Sequence, residues 1–344
     1  MSDSNAYARA GVDISAGNAT VARYRDVLAA WRHPAQVGGI GGFSGLFRLP
    51  GDERRLLVGS TDGVGTKILI AAQARRYDTV GADLVNHCVN DILVVNAKPL
   101  FFLDYLAVGK LEPEIAAAIV GGVARACAAH DCALLGGETA EMPGLYAPEH
   151  FDLAGTIVGI VDAGAVPDLS RVTPGDAIVG LPAVGLHTNG YSLARALIGE
   201  EEWERLVPLD GRSTTYLDAL LAGHPSYARD VQAIEAVAEV KAMAHITGGG
   251  LLDNVARTLP QGCKAVFEQT RWPVPALLKE LITRGNLSHE ERYRTLNMGL
   301  GYTLIVPMMA AAKAKDAVAG ATIAGWIEIR KPGEPAVVIH PARS

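Results

Sequence analysis

Cysteine is scarce in this chain of 344 residues: Cys88, Cys127, Cys132 and Cys263 are the four, and no two form a Cys-x-x-Cys pair. All fall in apolar surroundings, so they read as small buried hydrophobes rather than as a disulfide framework or a zinc site. Basic charge is also short, with 31 Lys and Arg against 37 Asp and Glu and a net charge of -6. No cationic footprint is available for nucleic acid, although backbone amides and a few cations can still hold a phosphorylated small molecule. No apolar run is long enough to cross a bilayer, and Met1-Ser2-Asp3-Ser4-Asn5 lacks the cationic-then-apolar order of an export signal. A soluble cytoplasmic protein without a membrane partner is expected. A Walker A loop is missing too: in Gly63-Val64-Gly65-Thr66-Lys67 a threonine separates the glycine from the lysine, and the required Gly-Lys-Ser/Thr order is absent.

What is present describes a well-buried enzyme, with 49% apolar and 20% charged residues. The length favours two domains. Residues 55–60, 99–108, 132–136 and 153–161 are short apolar runs bounded by Gly, Pro or acids, and read as strands with helices between them. After Val161-Asp162-Ala163-Gly164 the composition shifts, and Pro167, Pro174 and Gly175 punctuate the entry into a second set of elements. We therefore expect one domain over 1–165 and another over 166–344. The second half reads as a strand at 176–181, helices over about 190–199, 213–222 and 226–239, a glycine loop at 248–250 and a last strand near 336–340. Alternating strands and helices make the class α/β or α+β.

Chemistry is carried by carboxylates set among glycines and strands: Asp62 in Ser60-Thr61-Asp62-Gly63, Asp91 in Cys88-Val89-Asn90-Asp91 and Glu138 in Gly136-Gly137-Glu138-Thr139. Glycine lets a backbone approach phosphate, and Mg²⁺ binds through a few carboxylates together with a substrate's phosphates. A Mg-nucleotide site is the expectation. From Val80 to Val95 helical spacing puts Val80, Leu84, Cys88, Ile92 and Val95 on one face and Asp83, His87, Asn90 and Asp91 on the other. That polar stripe has no Lys, Arg or Glu, so it reads as lining a site rather than facing solvent. Asp104 shares a strand face with Phe102 and Leu106, where a carboxylate is costly unless it is paired or coordinated. The stretch Gly38-Gly39-Ile40-Gly41-Gly42-Phe43-Ser44-Gly45 reads as a loop, either plainly mobile or a flap over a nucleotide. Gly185 to Ser192 and Thr247-Gly248-Gly249-Gly250 each lead into a helix, an arrangement that favours an anion but also serves ordinary caps.

Together Ala10-Gly11-Val12-Asp13-Ile14, the glycine loop, Ser60 to Lys67, Cys88 to Asp91, Leu100 to Tyr105, Gly136 to Gly144, His187 to Ser192 and Thr247 to Gly250 resemble the phosphoribosylformylglycinamidine cyclo-ligase, or aminoimidazole ribonucleotide synthetase, family. The resemblance covers nearly the whole chain. It implies a two-domain fold whose N-terminal sheet pairs with a dimer mate's into a β-barrel, followed by a C-terminal α/β domain. It also implies ATP-dependent closure of formylglycinamidine ribonucleotide to aminoimidazole ribonucleotide, with release of ADP and phosphate. By the same resemblance Asp62, Asp91 and Glu138 coordinate Mg-phosphate, with Gly63, Val64, Gly65, Thr66, Gly137 and Thr139 around the nucleotide. Lys67 and Asn90 donate to phosphate or substrate, and Asp104 stands on the substrate side. From the second domain His187, Thr188, Asn189, Ser192 and Thr247 to Gly250 face the substrate, and Asn297 closes the pocket. His187 is either an acid or base or a donor that orients substrate. Arg9 occupies a position where the family usually has lysine. The same superfamily fold serves thiamine-phosphate kinase, selenide water dikinase and hydrogenase maturation proteins; a selenide enzyme needs a reactive Cys near the N-terminus, and none is present. A non-catalytic nucleotide-sensing dimer is a further alternative.

Overall fold

The computed structural model describes residue 11 and residues 14–29, 31–39 and 41–341. Arg9, Ala10, Val12 and Asp13 of the motifs above lie outside the described residues, as does Ile40. Helix α1 (Ile14–Ala29) leads to strands β1 (Gln36–Val37), β2 (Gly45–Leu49) and β3 (Asp52–Gly63), then to helices α2 (Lys67–Gln73) and α3 (Val80–Leu93). Strand β4 (Lys98–Val108), helix α4 (Pro113–Ala129) and strands β5 (Ala133–Glu141) and β6 (Phe151–Asp162) complete a six-stranded sheet ordered β1-β2-β3-β6-β4-β5. All its pairs are antiparallel except β4 with β5.

The chain then forms β7 (Ala177–Pro182), α5 (Tyr191–Leu197), β8 (Leu206–Leu209), β9 (Arg212–Thr215), α6 (Tyr216–Leu220), α7 (Ala228–Glu235), β10 (Ala242–His245) and α8 (Gly250–Ala256). It ends through β11 (Cys263–Glu268), α9 (Ala276–Gly285), α10 (His289–Thr295), β12 (Leu300–Val306), α11 (Ala311–Asp316), β13 (Thr322–Ile329) and β14 (Val337–His340). The second sheet, ordered β10-β12-β7-β13-β11-β14, again has one parallel pair at an edge, β11 with β14. Strands β7 and β12 are buried along nearly their whole length, because apolar clusters cover both faces of that sheet.

The expected helix over 213–222 is shorter than its sequence suggested. Asp210 and Gly211 both adopt positive φ (50° and 77°) and form the two-residue turn of a hairpin that makes β9 out of Arg212–Thr215. Thr215 then caps α6 by accepting from the Asp218 amide at 3.0 Å.

One face of the first sheet carries α3 and α4. Strand β4 turns Phe102, Asp104 and Leu106 toward these helices and Leu103 and Tyr105 outward, and Leu135 on the edge strand is 63% exposed. The two helices meet at Gly81 and Gly122: a Cβ on Gly81 would stand 2.3 Å from the Ile119 carbonyl oxygen and 2.5 Å from the Val123 nitrogen. Both obstacles are backbone and cannot swing aside. Gly81→Ala is therefore expected to cost at least the ~1–3 kcal/mol of an overpacked core, read as a lower urea midpoint with an unchanged slope.

Helix α3 is buried on both of its faces. Val80, Leu84, Cys88 and Ile92 pack into the core under the sheet, while Asp83, His87, Asn90 and Asp91 turn toward the second half of the chain. Loop 222–227 lies along this stripe. Asp83 accepts from the His224 amide at 2.7 Å, Asn86 donates to the His224 carbonyl at 2.8 Å, and Asn90 donates to Pro225 and accepts from the Tyr227 amide, both at 2.9 Å. The short polar residues that distinguished the stripe in the sequence are what a tightly hydrogen-bonded junction needs.

Candidate active site

At this junction Asp62, from the end of β3, meets His87 and Asp91 of α3. His87 Nε2 is 3.1 Å from Asp62 and 3.9 Å from Asp91, and its Nδ1 is 2.7 Å from the Thr188 hydroxyl. Asp91 is held on the other side by Ser60 at 3.2 Å and by His245 Nδ1, at the end of β10, at 2.8 Å. His224 completes the cluster, its Nε2 3.2 Å from His245 Nε2 and its Nδ1 3.4 Å from Thr188. His187 stacks on His224 with ring centres 4.3 Å apart. Its Nε2 accepts from the Val184 amide at 3.1 Å, so the proton of the neutral ring belongs on Nδ1, which is buried without a hydrogen-bond partner.

These surroundings separate the imidazoles by charge. Burial alone would depress the His87 imidazolium, but Asp62, with Asp91 and Asp83 beyond it, outweighs burial and lifts the pKa to about 9. Burial likewise works against the Asp62 carboxylate, and the His87 cation more than offsets it, holding Asp62 below the usual range. Burial pushes His187 and His224 well below the ordinary imidazole value, and nearby cationic groups add to the effect. In His245 burial prevails over the hydrogen bond to Asp91, and its pKa is lowered.

A pH dependence of stability follows. His87, raised from an ordinary value of 6.5, contributes stability that is complete below pH 6.5 and lost as pH rises through about 9, in total about 3 kcal/mol. His187, His224 and His245 work oppositely below 6.5, where the unfolded chain takes up protons that the folded one refuses. Urea unfolding in metal-free buffer should give a maximum near neutrality, and His87→Asn should flatten the alkaline arm. An alkaline arm unchanged in that variant would refute the assignment.

The loops expected around a phosphate do converge here. Thr66 and Ser192 hydroxyls are 3.2 Å apart, a Cβ on Gly65 would stand 3.2 Å from the Thr188 carbonyl oxygen, and one on Gly248 would stand 3.5 Å from Asn189 Oδ1. Gly63 donates its amide to its neighbour Asp62 at 3.0 Å, and Val64 is wholly buried. Asn254 accepts from the Thr247 amide at 2.8 Å, and Gly249 and Gly250 turn into α8 with positive φ.

Other expected donors are engaged inside the protein. Lys67 is fully buried, 2.6 Å from Asp83 and donating to the Ala222 carbonyl at 2.7 Å. Asn90 is fully buried with both ends of its amide paired. This corrects the expectation that Lys67 and Asn90 point at a ligand; they fasten the junction beside it. Asn297 fastens its loop in a similar way, donating to Gly185 and accepting from Gly299, each at 2.9 Å.

Asp104 lies in the same cross-strand row as Asp62, with Gly155 between them and Gly137 beyond, so two strand spacings of roughly 10 Å in all separate the acids. Burial raises its pKa. Gly137 permits this placement, since a Cβ there would stand 2.3 Å from the Asp104 carboxylate. Glu138 and Thr139 are exposed on the edge strand, away from Asp62 and Asp91. The sequence reading noted His87 but missed His224 and His245. Their only local signals were a His-Pro pair in a loop and a lone histidine closing an apolar strand.

The fold and junction define a two-domain protein of the AIR synthase related class: residues 42–161 match the AIR synthase related protein N-terminal domain and residues 173–331 its C-terminal domain. Among curated proteins, the phosphoribosylformylglycinamidine cyclo-ligase of Myxococcus xanthus (strain DK1622) is 45% identical over 342 residues, covering 97% of this chain and 99% of the relative. That of Anaeromyxobacter dehalogenans (strain 2CP-C) is 48% identical over 336 residues, covering 95% and 97%. The chain belongs to the phosphoribosylformylglycinamidine cyclo-ligase family. Solved structures share its fold at lower identity. The hydrogenase maturation protein HypE in complex with ATP has a TM-score of 0.63 at 19% identity, covering 92% of this chain and 89% of that one. AaThiL complexed with AMPPCP and TMP has 0.61 at 18%, covering 91% and 90%.

Proposed function

We propose that this chain is the ATP-dependent cyclo-ligase of purine biosynthesis that converts formylglycinamidine ribonucleotide to aminoimidazole ribonucleotide, with release of ADP and phosphate. The observation that carries the reading is the pair Asp62 and Asp91 at the junction of the two halves, in a chain similar over its full length to cyclo-ligases. An amide oxygen is a poor leaving group. Once phosphorylated it becomes one, the amidine nitrogen attacks the activated carbon, and phosphate departs as the ring closes.

Asp62 and Asp91 each place a carboxylate oxygen within 4.8 Å of the other and of a His87 nitrogen. Such a set suits Mg²⁺, which binds through one or two carboxylates and keeps its other positions for phosphate and water. Bound there, Mg²⁺ would supply neutralisation of phosphate charge. The converging loops Gly63 to Lys67, His187 to Ser192 and Thr247 to Gly250 supply backbone amides, and the Thr66, Thr188 and Ser192 hydroxyls supply further polar contacts. His187, neutral with its proton on Nδ1, acts as a hydrogen-bond donor that orients substrate rather than as an acid.

Residues 1–165 form the ATP-binding and dimerisation unit and residues 166–344 complete the substrate cleft. The outward apolar side chains Leu103, Tyr105 and Leu135 support pairing with a second copy through the first sheet, as in the dimer barrel of the family. Glu138 and Thr139 on the edge strand then stand at that contact. No helix among the described residues is long and apolar enough to cross a membrane, and a cytoplasmic location fits this metabolic role. An ADP-release assay with formylglycinamidine ribonucleotide and Mg-ATP tests the proposal: ADP should form only when the ribonucleotide is present, and its absence would sink the assignment.

A further inference from the structure

We propose that Cys127 and Cys132 form a dithiol that a hydroperoxide oxidises to a disulfide within the chain, with Cys132 as the attacking thiol and Cys127 as the resolving one. The pair lies where α4 ends and β5 begins, and all four cysteines of the chain are free thiols. The chain leaves α4 through a Schellman turn: the Cys132 amide donates to the Cys127 carbonyl at 3.0 Å, the Asp131 amide donates to the Ala128 carbonyl at 3.3 Å, and Asp131 adopts a φ of 51°. The two residues joined by the longer bond of such a turn are the ones whose side chains meet, ordinarily as an apolar contact. Here both are cysteine, so the backbone itself holds two thiols together.

That contact separates the two thiols in acidity. The Cys127 S–H donates to the Cys132 sulfur; this bond, with burial added, raises the Cys127 pKa, and the same bond lowers that of Cys132 against the effect of burial. In Cys88 and Cys263 burial, reinforced by nearby carboxylates, pushes the thiol up. Cys132 is therefore the one thiol of the four that is eased toward the thiolate, the form that acts as nucleophile. A thiol of that kind beside a resolving partner is the arrangement peroxide-sensitive sites use. Access favours Cys132 as well: its side chain is largely covered, but it stands between the exposed residues Asp131 and Ala133 in the turn.

The chemistry balances with hydrogen peroxide as the oxidant. The Cys132 thiolate attacks one peroxide oxygen, the O–O bond breaks, and hydroxide leaves; it takes up the proton that Cys132 gave up on ionising and becomes water. Cys132 is now a sulfenic acid. The Cys127 sulfur then attacks the Cys132 sulfur, the S–O bond breaks, and the departing hydroxide carries off the Cys127 proton as a second water. Two thiols have lost two electrons to one peroxide, and a thiol reductant reverses the change by exchange. The product fastens the end of α4 to the start of β5, the strand that carries Gly136 and Gly137.

The test treats the folded, reduced full chain with hydrogen peroxide, blocks the remaining thiols by alkylation and weighs the fragments. The fragment holding both Cys127 and Cys132 should lose two hydrogens and escape alkylation, at least ~10-fold faster than Cys88 or Cys263 is oxidised, and dithiothreitol should restore both thiols. In Cys127→Ser the reaction should stop at a sulfenic acid on Cys132, trapped by dimedone; in Cys132→Ser, Cys127 should stay reduced. The fragment masses of the unsubstituted chain decide the matter even if a variant fails to fold. Thiols at 127 and 132 that survive while Cys88 or Cys263 is oxidised, a disulfide that forms only after the chain is unfolded in urea, or dimedone on Cys127 in place of Cys132 would overturn the proposal.

Discussion

Asp91→Asn lowers turnover by at least ~100-fold and leaves the chain folded, in the expected outcome of the largest test of activity. The substitution changes charge with almost no change of shape. An asparagine at position 91 still offers an oxygen to His245 Nδ1 and a polar group to Ser60, so the packing around a nearly fully buried position survives. What disappears is one of two carboxylates facing the same His87 nitrogen, and with it half of the charge available to a magnesium phosphate. Steady-state kinetics over a range of Mg²⁺, with a thermal melt as control, reads the result. Turnover close to that of the parent chain would remove Asp91 from the machinery, whereas a collapsed melt would make it a structural residue.

Lys67→Met costs about 3–5 kcal/mol of stability, the penalty for leaving the partner of a buried ion pair uncompensated. Lys67 and Asp83 have no exposed side-chain surface and lie 2.6 Å apart. Burial opposes both ions, lowering the lysine's pKa and raising the aspartate's, while their mutual attraction resists both shifts. Methionine fills the volume of the lysine stem but gives Asp83 no counter-charge and the Ala222 carbonyl no donor. In the double variant Lys67→Met with Asp83→Asn, the asparagine oxygen still accepts from the His224 amide and no charge is stranded, so most of the loss should return. Urea midpoints for the two single variants and the double close the cycle. A single variant as stable as the parent, or a double variant as unstable as the sum of the singles, would show that the pair is not coupled as described.

Much of the fold was legible because burial left its period in the sequence. β6 alternates buried Leu153, Ile157 and Val161 with half-exposed Val158 and Ile160, and strands β3 and β4 carry comparable runs, so each was placed within a few residues. The hairpin of β8 and β9 was missed although Asp210-Gly211 is a strong local turn signal; the polar run Arg212 to Thr215 reads equally well as a helix start until the turn is seen. The site was legible only in part. Asp62, Asp91 and the glycine loops announce themselves by residue type, but His224 and His245 acquire meaning only when three distant segments meet at α3. Lys67 misled for a related reason: a lysine after a glycine loop looks like a phosphate ligand, and nothing local reveals that Asp83 waits for it sixteen residues on.

Loop 222–227 gives the two halves a shared fate. Its backbone is hydrogen-bonded to three side chains of α3, so no large opening between the halves can occur without leaving Asp83, Asn86 and Asn90 unpaired. Neither half can be expressed alone without exposing one side of that seam to water. In evolutionary terms, the two sheets are poor candidates for recombination as separate modules, because helix α3 and loop 222–227 are complementary surfaces and must be inherited together.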